Sequence, residues 1–169
     1  GIMGSYPLMK ASIESLGFKA SDIKVITATH GHSDHARAGH GAVLATADTL
    51  AIMRLRLGEL GPAQPLAYGQ PITVKDVTVT LVPAGHILGS AQVRIEYQGE
   101  IWVISGDYKL ASDPTCDAFE PVRCDVFVTE ATFGLPVFTH PPADSEIARL
   151  LASVALFPER AHVVGCYSL

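Results

Sequence analysis

The spacing of apolar and polar positions changes several times along the chain. Met9, Ile13 and Leu16 fall close to helical spacing and Gly17 stands where a C-cap glycine belongs, so a short helix is predicted over 7–16. Residues 23–29, IKVITAT, form a β-branched run too short for a helix; they are expected to make a buried strand that ends at His30. Residues 42–46 read as another strand, and 49–57 as a helix capped by Asp48 and stopped by Gly58 and Gly61. From 65 to 106 the pattern shortens to β runs at 66–68, 72–74, 77–82, 91–97 and 101–105, with Gln98-Gly99 as a hairpin turn between the last two. That stretch is expected to be an antiparallel sheet. A strand at 126–129, a helix over 144–156 capped by Asp144 or Ser145, and an apolar strand at 162–167 complete the series. The Pro-rich piece 135–142 is the candidate subdomain boundary, and strands sandwiched by helices are the expected architecture.

Composition narrows this picture. A chain of 169 residues, 48% hydrophobic and 17% charged, is that of a globular domain with a sizeable core. No run approaches the about 18 apolar residues of a membrane span, and no signal-peptide pattern opens the chain, so a soluble cytoplasmic protein with no membrane partner is expected. Cys116, Cys124 and Cys166 match no zinc knuckle or redox pair; they are read as reduced packing residues. The formal charge of -5 argues mildly against a nucleic-acid surface. Two divalent ions, however, would add about four positive charges where a phosphate would sit.

The chemistry concentrates in HGHSDH. His30, His32, Asp34 and His35 place four metal-ligand types in six residues behind a strand, and imidazole and carboxylate are the donors of catalytic zinc sites. In an extended segment His30 and His32 project to one side, while Asp34 and His35 can reach a second ion. A solvated histidine-rich loop is the bland alternative, and four ligand types behind a buried strand argue against it. His86 lies in PAGHILGSA, between a strand and the next hairpin; alone it would read equally well as a core histidine. Asp107 closes SGD at a strand end, where a carboxylate can bridge two cations about 3.5 to 4 Å apart. Glu130, in TEATFG, is read as accepting the outer N–H of a ligand histidine, with a surface or capping glutamate as the alternative. His40, His140 and His162 lack ligand-type neighbours and are read as structural.

HGHSDH, AGHILGSA, SGD and TEATFG, in this order, resemble the metallo-β-lactamase fold and, within it, the β-CASP nucleases. Residues 27–169 are similar to the bacterial ligase-associated DNA exonuclease family in THGHSDHARAGHGAVLAT, VPAGHILGSAQVRIEYQGEIWVISGDYK and VTEATFG. The resemblance implies an α/β, αββα sandwich, truncated at both ends, with a partial metallo-β-lactamase-like domain at 1–135 and the start of a β-CASP-like segment at 136–169. It also implies two zinc ions, one on His30, His32 and His86, the second on Asp34 and His35 with Asp107 bridging, and Glu130 as the first additional β-CASP motif. Further β-CASP ligands lie beyond Leu169 in the family pattern, so the second site is expected to be incomplete.

Residues 1–26 look more like the helix and strand that precede this motif in di-zinc metallo-β-lactamases, which suggests a mosaic or chimera joined near 26–29. The expected activity is hydrolysis of DNA or another phosphodiester by a zinc-activated water, with Asp34, Asp107 and Glu130 as the catalytic carboxylates. Two alternatives stand beside it. One is hydrolysis of β-lactams or other cyclic amides and esters. The other is an inactive metal-binding fragment that associates through unpaired edge strands with itself or with partner segments.

Overall fold

The computed structural model describes residues 26–31 and 41–165. The predicted helix at 7–16, residues 23–25 of the strand at 23–29, and His32, Asp34, His35, His40 and Cys166 lie outside the described residues. The chain divides into two compact units, Gly1–Glu130 and Ala131–Leu169.

The first unit opens with β1 (Ile26–Thr27), β2 (Val43–Ala45), α1 (Ala47–Leu57) and β3 (Ala63–Pro65), the three strands forming a parallel sheet in the order β1-β2-β3. A second sheet follows, made of β4 (Pro71–Val74), β5 (Val77–Pro83), β6 (Ala91–Tyr97), β7 (Glu100–Ile104) and β8 (Val126–Val128) in sequential order. It is antiparallel from β4 to β7, as the alternation predicts, and β8 adds to β7 in parallel. The β6–β7 turn is Gln98-Gly99, with φ of 50° and 84°; two positive φ values are what a two-residue hairpin with right-handed strand twist requires.

The layering follows from β2. Val43 and Ala45 pack with Ala28, Leu50, Met53 and Leu60 under α1, whereas Leu44, on the opposite face, packs with Leu66, Val79, Leu81, Ala91 and Val93 of the second sheet. A strand buried on both faces reads as a continuous apolar run, and this one does. Each fully buried Leu of this kind contributes roughly 1.5–3 kcal/mol. Helix, parallel sheet and mixed sheet are therefore stacked in that order.

Four sequence expectations shift. The strand of 66–68 is displaced to Ala63–Pro65: the Leu66 N–H still bonds Ala45 O, but its side chain turns into the core at 2% exposure, and Tyr68 makes only an isolated bridge to Leu81. The cap of α1 is Thr46 rather than Asp48, its Oγ1 accepting the Thr49 N–H at 3.2 Å. In the second unit α2 (Ala143–Leu156) starts after Pro142 with no side-chain cap, because Ser145 Oγ donates back to the Pro142 carbonyl at 2.7 Å. Residues 162–165 form no strand.

Candidate metal centre

Three segments bring their ends together above the sheets. β1 runs out through Ala28, whose N–H bonds Leu44 O, to Thr29 and His30. The Thr29 carbonyl accepts the Ala91 N–H at 2.7 Å, a bond from the β1 extension to the first residue of β6. Thr29 Oγ1 lies 3.1 Å from His30 Nδ1. That contact suits a ring that keeps its proton on Nδ1 and offers Nε2 as the ligand atom.

His86 sits in the turn between β5 and β6. Ser90 organises the turn: its Oγ accepts the N–H groups of His86 at 3.0 Å and Ile87 at 3.2 Å, and its carbonyl accepts Ala84 N–H at 3.1 Å and Tyr68 Oη–H at 2.8 Å. Burial, and then the charge of Asp117, push the Tyr68 phenol well above its usual value, so it keeps the proton it donates. Gly89 has φ of 77°, and a Cβ there would stand 2.6 Å from Thr49 N. Its carbonyl accepts the hydroxyls of Thr46 at 2.7 Å and Thr49 at 2.8 Å. Gln92, fully buried, donates from Nε2 to the carbonyls of Pro83 and Glu120 at 3.0 and 2.7 Å and so secures the base of the same turn.

Asp107 follows the end of β7. Ser105 N–H bonds Val128 O at 2.9 Å, prolonging the β7–β8 ladder to the edge of the site. Gly106 then takes φ of 56° with its backbone pressed against Thr29.

His30, His86 and Asp107 converge: one ligand atom from each lies within 4.8 Å of the others. Asp107 Oδ2 is 3.7 Å from His30 Nε2 and 3.7 Å from His86 Nε2, and the two rings meet edge-on at 5.1 Å. A separation of 3.7 Å is too long for a direct hydrogen bond. Two ligand atoms held tetrahedrally about 2.1 Å from one ion stand about 3.4 Å apart. The set of two imidazole nitrogens and a carboxylate oxygen, with His30 wholly buried, could therefore hold a metal ion.

Of the seven residues singled out by sequence, the structure gathers these three; His32, Asp34 and His35 lie outside the described residues. Glu130 follows β8 and its N–H donates to Ser105 Oγ at 3.3 Å, which links its backbone to the segment that delivers Asp107. His140 packs edge-on against Phe133 at 5.0 Å, and His162 Nε2 meets Ser153 Oγ at 3.1 Å. Cys116 and Cys124 are free thiols, and burial pushes the Cys116 thiol up. Sequence reasoning passed over Thr29, Thr46, Thr49, Tyr68 and Ser90. The one local signal was Ser90, four residues after His86 in a glycine-bearing turn, where a serine oxygen commonly takes backbone N–H groups.

Residues 1–162 match the family described as the metallo-beta-lactamase superfamily. The chain belongs to that superfamily. This superfamily member is 36% identical over 132 residues to a protein of Opitutus terrae named "Probable DNA ligase", covering 76% of this chain and 12% of that protein. It is 34% identical over 101 residues to "Endoribonuclease ysh1" of Aspergillus fumigatus, covering 58% and 11%. With a ribonuclease of Thermus thermophilus the identity is 28% over 145 residues, covering 70% and 34%. The superfamily member thus spans 11% to 34% of the length of these relatives. Among solved structures, the Rm3 metallo-beta-lactamase superposes with a TM-score of 0.50 at 23% identity, over 64% of this chain and 50% of that one, which shows the shared fold. No helix among the described residues is long and apolar enough to cross a membrane.

Proposed function

We propose that this chain is a metal-dependent hydrolase of phosphodiester bonds, a nuclease acting on DNA or a related polynucleotide with zinc as its cation. The convergence of His30, His86 and Asp107 from three chain segments carries the reading, and the relatives named as ribonucleases support it.

In this reading His30, His32 and His86 would hold one ion, and Asp34 and His35 a second, with Asp107 serving as a shared ligand. A bound divalent cation lowers the pKa of water towards neutrality and offsets the charge of a phosphate. The chain's own residues do the rest. Thr29 fixes the ring of His30 so that Nε2 faces the centre. Asp107, about a quarter exposed, lies within reach of both histidines and of solvent. Asp34 or Asp107 orients the attacking water and takes its proton. Glu130 accepts the outer N–H of a ligand histidine other than His30, whose ring nitrogen already meets Thr29. The free thiols at Cys116 and Cys124 fit a reducing, cytoplasmic location.

The test is hydrolysis of labelled linear DNA and RNA by the purified chain, before and after EDTA and with zinc restored. Cleavage is expected to vanish on chelation and return with zinc. Cleavage indifferent to EDTA refutes the reading, and turnover of a cephalosporin without nuclease activity replaces it with the β-lactam one.

A further inference from the structure

The turns that carry His30 and His86 are both fastened to one face of α1. Thr46 at the cap and Thr49 one turn later donate their hydroxyls to the Gly89 carbonyl, filling both acceptor positions of that oxygen. At the next turn Ile52 fills the space a side chain at Gly31 would need, with its Cγ2 2.5 Å from the position of that Cβ. One turn further, Arg56 donates from a guanidinium nitrogen to the Gly31 carbonyl at 3.2 Å. Positions 46, 49, 52 and 56 recur every three or four residues and share one side of the helix. Gly31 adjoins His30, and Gly89 lies three residues from His86 in the turn that Ser90 locks.

We propose that α1 is the positioning element of the metal centre: its Thr49 hydroxyl, through the Gly89 carbonyl, and its Arg56 guanidinium, through the Gly31 carbonyl, hold the His86 and His30 turns at the separation a cation requires. This rests on the metal reading above. The physical case is that neither turn has a second covalent tie to the other. The helix is a stiff element bonded to both, so a donor lost on its face lets one histidine drift relative to its partner. Groups that orient metal ligands commonly control affinity by about 10- to 100-fold without contacting the ion.

Thr49 is the residue to change, because it is wholly buried, its hydroxyl serves Gly89, and valine matches its shape. Zinc affinity is measured on the full chain by competition with a chromogenic chelator, and the visible spectrum of the cobalt(II) form reports ligand geometry. Thr49→Val is expected to weaken zinc by about tenfold or more and to shift the cobalt bands, and Thr49→Ser to restore both. Arg56→Gln is expected to produce a loss of similar size. Leu50→Val, which trims the apolar cluster between α1 and the parallel sheet and removes no hydrogen bond, supplies the control: it lowers the thermal midpoint of the metal-free chain and leaves zinc affinity unchanged. Parent-like affinity in Thr49→Val overturns the proposal, as does an equal loss in Leu50→Val. A parent chain that takes up neither zinc nor cobalt removes the metal reading itself.

Discussion

Gly106 is where the Asp107 segment presses against the His30 segment. At φ of 56° it holds a backbone that L side chains rarely adopt, and a Cβ would fall 2.6 Å from Thr29 Cβ and 2.8 Å from Thr29 Oγ1, the oxygen that meets His30 Nδ1. Gly106→Ala is expected to cost about 1–3 kcal/mol in a urea titration and to weaken zinc in the same protein, since the clash moves one ligand or the other. Gly99→Ala, with φ of 84° but nothing within 4 Å, should show only the strain and no effect on the metal. The three residues that converge, His30, His86 and Asp107, were legible in the sequence as candidates, because histidine and aspartate packed into strand ends are scarce and chemically specific. Thr29 and Ser90 were not. Hydroxyl residues are common, and their partners become visible only when the backbone places a ring nitrogen or an N–H beside them.

Among the elements, the hairpins from β4 to β7 were read correctly because alternation and turn chemistry are local, and a pair joined by two residues fixes its own register. The start of α1 was read two residues too late. Thr46 and Asp48 are both good capping types, and the choice between them is made 43 residues away by the Gly89 carbonyl, which the Thr46 hydroxyl also bonds. Asp48 is left exposed in the first turn, where its charge complements the helix dipole. Thr46→Ala is therefore expected to lower stability by about 1–2 kcal/mol by chemical denaturation, and Asp48→Ala by no more than about 0.5 kcal/mol. The misplaced strand at 66–68 has a related origin. Leu66 and Tyr68 have strand-like side chains, but the space under the second sheet claims Leu66, and the ladder passes to Ala63–Pro65, where an edge position tolerates the proline.

At the scale of the whole first unit, the candidate ligands come from positions 30, 86 and 107, one at the end of the parallel sheet and two at ends of the mixed sheet. A cation held there joins the two layers, so binding and folding are coupled. With free zinc at 100 times its dissociation constant the native state gains about 2.7 kcal/mol. For a chain of this size that is a shift of about 5–10 °C in thermal midpoint. EDTA is expected to lower the midpoint by this much and zinc to restore it in differential scanning calorimetry; a midpoint unmoved by either would argue that the three residues hold no metal. The stacking of the layers was anticipated through the family resemblance. The parallel addition of β8 to β7, across a connection of more than 20 residues, was not, since no local pattern encodes a pairing that distant.

The bond from the Ala91 amide to the Thr29 carbonyl has a use beyond architecture. Ala91 is 1% exposed and opens β6, while Thr29 immediately precedes His30, so this proton can exchange with solvent only when the β1 extension lifts away from the mixed sheet. A single backbone amide thus acts as a clock on the opening of the gap between His30 and the two residues it converges with, His86 and Asp107, and deuterium uptake there times how often that gap is breached.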